Sequence, residues 1–176
     1  MIAFENINDI EKIIRAKLIQ QSQIDGKFVR NSLSLHGEAL DKVLNEQIYT
    51  SIDKNDVLIL FELRSRNNDN DMSETNNDRI EYYKSFEIYV IIYGDNSTNI
   101  ANNIVARFRT ELVRTDLQTK SIYLETISDP TKLNEYKNET MWLRNDISID
   151  IRCKLSINAI VEDYEFDTLN KIEILN

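Results

Sequence analysis

The chain has 176 residues, with 21 Lys and Arg against 30 Asp and Glu, a formal net charge of −9 and one domain's worth of polypeptide. One His, one Cys, three Gly and one Pro leave little material for a His/Cys zinc site, a glycine-rich phosphate loop or an internal disulfide. A pI of about 4.7 argues against a surface that grips nucleic acid throughout, because phosphate binding needs clustered cations.

In chain order, residues 8–20 read as a helix. Asn8 and Glu11 suggest a capping box, and Ile10, Ile13, Ile14 and Leu18 share one face. Residues 21–35 have no sustained period and predict a connection, and 38–49 return weakly to helical spacing. The run DVLILFELR from Asp56 predicts a buried strand, followed by an exposed polar loop over 66–79. SFEIYVIIYG predicts a second buried strand that stops at Gly94, antiparallel to the first.

Residues 97–113 predict the best-defined helix, capped by Ser97 or Thr98, with Ile100, Ile104, Val105, Phe108 and Leu112 on one stripe. KSIYLETIS predicts a third strand in which Ile122, Leu124 and Thr126 alternate with Tyr123, Glu125 and Ile127. Asp129-Pro130 predicts a turn. From Ile147 to Ala159 apolar and polar residues alternate strictly, as in a strand with one buried and one wet face. Run back to Met141, that strand would span on the order of 60 Å at about 3.3 Å per residue, so it must bend, break near Arg144-Asn145-Asp146 or protrude. KIEIL near the C-terminus predicts a short closing strand. The expected architecture is a single α+β domain over 1–176, with a mainly antiparallel sheet of about four or five strands and helices packed on it.

No metal, cofactor or catalytic set emerges. Asp69, Asp71, Glu74 and Asp78 lack the spacing of a calcium loop, Asp150 and Lys154 lack that of a nuclease, and His36 has no nucleophile nearby in sequence. Cys153 falls at an apolar strand position and reads as a small hydrophobe. The arginines Arg107, Arg109, Arg114, Arg144 and Arg152 fit either surface ion pairs or a subunit contact. Tyr82, Tyr83 and Trp142 border predicted loops and are candidate interface anchors. No uncharged run approaches the roughly 20 residues of a membrane span, and the opening MIAFENINDIEK lacks the pattern of a signal peptide.

The stretch from Ser85 to Ser156 resembles the central part of the tail terminator (neck, or tail-completion) proteins of tailed bacteriophages. The likeness lies in the order of elements: a strand ending in Tyr93-Gly94, an amphipathic helix over Ile100 to Leu112, a strand over Ile122 to Ile127, a segment from Trp142 to Arg144, and the alternating strand Ile147 to Ile157. Where such proteins often carry Gly before the third strand, this chain has Lys120-Ser121. The resemblance implies a non-enzymatic virion protein, assembled in the host cytoplasm, whose copies form a ring, commonly of six, on the head-proximal end of the tail tube. Its implied partners are itself, the tail tube protein, the tail sheath as a further candidate, the head–tail connector, and DNA that passes through the lumen without specific binding. Another connector or baseplate component is the alternative within structural proteins, and a divergent metal-dependent nuclease the alternative among enzymes.

Overall fold

In a computed structural model, residues 3–31, 57–66, 71–76, 79–137 and 140–158 are described. The expected helix at 38–49, the strand KIEIL, and His36, Asp69 and Asp78 lie outside them. Two long strands form the spine: β4 (Arg79–Tyr93) and β7 (Thr140–Asn158) pair antiparallel from Arg79 opposite Asn158 to Tyr93 opposite Arg144. The last strand therefore neither breaks nor stops at Arg144-Asn145-Asp146. Along its outer edge β4 takes β2 (Leu58–Ser65) and then β3 (Asp71–Asn76), both antiparallel. Along its own outer edge β7 takes β6 (Thr131–Lys137) and then β5 (Ile122–Ile127). A short β1 (Val29–Asn31) joins β2 in parallel, which makes seven strands among the described residues: five on the path β1-β2-β4-β7-β5, with β3 and β6 beside it. The expected α+β architecture is the one found. Within the tract 66–79 one expectation fails: Asp71–Asn76 is strand rather than loop, because a ladder is built by the backbone and needs no apolar side chains.

The three described α-helices lie on one face of the sheet. α1 (Ile7–Ser22) buries Ile10, Ile14 and Leu18 against α2 (Ser97–Phe108), β1 and the inward residues of β4 and β7. Its N-cap is Asn6, whose side chain accepts from the Asn8 amide, so the cap lies two residues before the Asn8 that the expected box used. α2 has no side-chain cap; instead the buried Asn145 amide donates to the Ser97 and Thr98 hydroxyls at 2.9 and 3.2 Å and ties the helix start to β7. The expected single helix over 97–113 is two. Thr110 caps α3 (Glu111–Thr119), accepting from the Val113 amide while its hydroxyl donates to the Arg107 carbonyl at 2.6 Å. This break takes Leu112 off the buried stripe and leaves it 81% exposed; Val113 and Leu117 are buried in its place.

A bulge at Glu125 has a similar effect in β5. Leu124 pairs with Ile151 and Thr126 with Asp150, so the period shifts by one: Thr126 turns outward and Ile127 packs on the core, the reverse of strict alternation. Asp116 on α3 accepts from Lys17 of α1 and from Lys120, each at 2.6 Å, and the bonds to Lys120 and then Lys17 hold its carboxyl below the usual range.

Two positions yield direct tests. Ser121, which enters β5, has φ 59°, and its Oγ is buried without a hydrogen-bond partner among the described residues. Glycine suits that left-handed backbone, and it also removes the unpaired hydroxyl. Ser121→Gly should therefore raise the unfolding free energy by about 1 kcal/mol, seen as a higher urea midpoint; a lower midpoint would mean that the hydroxyl is bonded. Cys153 is fully buried, and burial pushes its thiol up to about 12 from an ordinary 9.0. It should stay unlabelled by a thiol reagent at pH 8 in the folded protein and react once denaturant is added.

Candidate interaction surface

The described helices leave the second face of the sheet uncovered. Strand parity sends Glu62, Arg64, Glu87, Tyr89, Arg144, Asp146, Ser148, Asp150, Arg152 and Lys154 to it, and cross-strand pairing decides their neighbours. At its centre Arg144 grips Asp146 through two parallel bonds, Nε and Nη2 each 2.7 Å from a carboxylate oxygen, and its Nη1 reaches Glu135 on β6 at 3.2 Å. Tyr89 donates its hydroxyl to the same Asp146, and Tyr93 donates to Glu135 at 2.9 Å. Burial pushes both tyrosine hydroxyls upward, most strongly that of Tyr93, so both remain donors. The bonds to Asp146 raise the Arg144 guanidinium further, so its charge is permanent.

The rest of this face follows the same scheme. Arg64 stacks on Tyr89 with its guanidinium carbon 4.2 Å from the ring centre, and Arg152 stacks on Tyr83 at 5.0 Å. Tyr83 also meets Tyr123 edge-on. Asp150 pairs with Arg66 and accepts from Thr126, whereas Lys154 pairs with Glu81. Asp150 and Lys154, the pair considered for a nuclease, thus lie on one face with different partners. Among the described residues no three His, Cys, Asp or Glu side chains gather at metal-binding distance, and no helix is long and apolar enough to cross a membrane.

Past the end of β4 the hairpin of β6 and β7 continues alone, with Glu135 opposite Trp142 and Tyr136 opposite Met141. Trp142, on the open face, is only 9% exposed, since it packs with Leu58, Leu60, Ile91 and Tyr93 in a small second cluster. Leu133 sits on that same face and is 42% exposed. Tyr136 and Met141 point to the opposite side, 71% and 56% exposed. The hairpin therefore carries apolar residues on both faces, beyond the start of α2 that covers Asn145.

Of the eight residues expected at an interface, Arg144, Arg152, Trp142 and Tyr83 share the open face. Tyr82 has the other parity and packs against the main core. Arg107 and Arg109 serve the fold: Arg107 donates to the Gln21 carbonyl at 2.9 Å, and Arg109 to the Ile127 carbonyl and to Asp129. Arg114 lies on α3, away from that face. The residues that sequence reasoning missed are Tyr89, Tyr93, Glu135 and Asp146 in the network, and Leu133, Tyr136 and Met141 on the hairpin. Their signal is a segment, TKLNEYKNETMWLR, whose apolar residues occupy both strand parities.

Residues 27–175 match the family model described as phage neck terminator protein. With most of its length matched, the chain belongs to that family, and its role is structural, in the tail or neck of a phage particle. No curated protein matches it.

Arg144 joins the hairpin to the sheet, and its removal leaves Asp146, which is 6% exposed, without its cation. Arg144→Ala should lower stability by about 2–3 kcal/mol, and Arg144→Lys should recover little of it, because an ammonium cannot make the paired bonds. Hydrogen exchange at 131–143 should accelerate in both variants before the rest of the sheet does; uniform acceleration would show that the network does not anchor the hairpin.

Proposed function

We propose that the chain acts as one domain whose identical copies, six as the family resemblance implies, close a ring on the head-proximal end of a phage tail tube. The ring ends tube polymerisation and presents its outer side to the head–tail connector, and in a contractile tail it also meets the sheath. The observation that carries this reading is the overhanging β6–β7 hairpin. Large apolar residues exposed on both faces of a two-stranded ribbon are unfavourable in water and mark a surface that another chain covers. A ring lumen must also pass DNA without retaining it. The net charge of −9 supports that role, since sequence-independent binding depends on cations that displace the counterions of the phosphates. No reacting group is required: termination needs only an end of the tube occupied by a surface that adds no further subunit.

The hairpin provides the test. Tyr136→Asp combined with Met141→Asp changes exposed positions only, so the melting midpoint should stay near that of the parent chain. Ring formation, read by native mass spectrometry of the chain alone and by electron microscopy on isolated tubes, should fall at least about tenfold, the equivalent of ~1.4 kcal/mol. Tails completed with the variant should be over-long or fail to join heads. A parent chain that stays monomeric in solution and never decorates tubes would overturn the ring reading.

A further inference from the structure

The apolar residues on the two faces of the β6–β7 hairpin point in opposite directions, and each set borders a larger surface that no described residue covers. Leu133 lies on the open side of the sheet, Tyr136 and Met141 on the helix side. On the open side the charges are already compensated within the chain. Arg64 pairs with Glu62, Arg66 with Asp150, Arg144 with Asp146 and Glu135, and Lys154 with Glu81, while Arg152 stacks on Tyr83. Covering such a face strips no ion of its partner, and arginine and tyrosine are the residue types enriched where proteins meet. A groove of about 280 Å³, lined by Tyr89, Leu133, Asp146 and Ser148 among others, opens on it. On the helix side, α2 carries no charged residue from Ser97 to Ala106, although 29% of the chain is charged. Thr98, Asn99, Asn102, Asn103 and Ala106 make up its exposed stripe, whereas α1 exposes Asp9 and Lys12 and α3 exposes Glu111.

Charge selects the occupant. Copies of a chain at −9 repel one another, so a contact between them is favoured where neither surface adds unbalanced charge. The charge-free α2 stripe and the compensated sheet face meet that condition together, and asparagine amides can both donate to the carboxylates and accept from the arginines opposite them. We propose that copies stack front to back: the open sheet face of one, with Leu133 and its groove, packs on the α2 stripe and the Tyr136–Met141 side of the hairpin of the next. Each copy then uses both surfaces, one for each neighbour, which accounts for a hairpin that is apolar on both sides. An interface between two different patches propagates in one direction, and it closes a ring when the rotation allows. This inference rests on the ring reading and specifies which surfaces make it.

Cysteine cross-linking separates the two. Asn102→Cys and Leu133→Cys place single accessible thiols on opposite sides of the sheet, while the native Cys153 is buried. With a short bismaleimide, alone and on tail tubes, a covalent dimer should form when the two variants are mixed and with neither by itself. The chain carrying both changes should give a ladder that ends at the ring size. Ala106→Cys with Thr131→Cys repeats the test with different geometry. Asn102→Glu combined with Ala106→Glu changes exposed helix positions only, so the melting midpoint should hold while ring formation falls at least about tenfold. Rings that assemble while neither pair cross-links, links between two copies of the same single variant, or rings undiminished by the two glutamates would overturn the front-to-back contact and leave the ring standing. If neither rings nor cross-links form, both readings fall.

Discussion

The ladder between β4 and β7 governs the rest of the molecule. Fifteen residues of β4 run against β7 without a register shift, and once that register is set, parity assigns every side chain of both strands to a face. Ile147, Ile149, Ile151, Cys153 and Leu155 meet Phe86, Ile88, Val90 and Ile92 on the same side, and the described helices pack on that side. The same register brings Arg144, Asp146, Tyr89 and Glu87 together on the other. A slip of one residue would expose the core of both strands and bury a row of charges, so the alternative is excluded by far more than any single contact contributes.

Because the spine is longer than the helical layer, it has ends that the helices do not cover. Each long strand carries two shorter ones in succession, and the far ends of β6 and β7 have no third neighbour among the described residues. The Arg144 network ties that overhang to the sheet. A half-buried ion cluster is seldom stabilising overall, since desolvation offsets much of the attraction. What it supplies here is direction: the bond from Arg144 to Glu135 ties β7 to β6, and the bonds from Tyr89 to Asp146 and from Tyr93 to Glu135 tie both strands to β4. Trp142, packed over Leu58 and Leu60, supports the hairpin from below on the same face.

Sequence periodicity reports contacts on one side of an element, and it succeeded where one side was buried. The strict alternation from Ile147 and the apolar runs of β2 and β4 were legible for that reason, as were α1 and the first three turns of α2. It failed where the backbone changed phase. Thr110 ends α2 by bonding locally, so Leu112 continues the helical stripe in sequence but not in space. The extra residue at Glu125 has the same effect in β5. Leu133, Tyr136, Met141 and Trp142 follow no single period because both faces of that hairpin are apolar. The centre of the network was equally hidden, since Tyr89 and Asp146 lie 57 residues apart and only the ladder brings them together.

An absence of alternation in a paired strand is itself informative. A strand that packs on one side gains nothing from apolar residues on the other, where they cost solubility and invite aggregation. On the β6–β7 hairpin both sides carry apolar residues, and among the described residues nothing covers Leu133 on one side or Tyr136 and Met141 on the other. A chain poor in His, Cys and Gly has few means of acting through a constructed catalytic pocket, but it needs none of these to act through shape. The scarcity noted at the outset and the uncovered hairpin therefore lead to the same physical conclusion. In the ring proposed above, the specificity of this protein resides in a surface that its described residues leave exposed, tied to the sheet by the Arg144 network and completed by another copy of the chain.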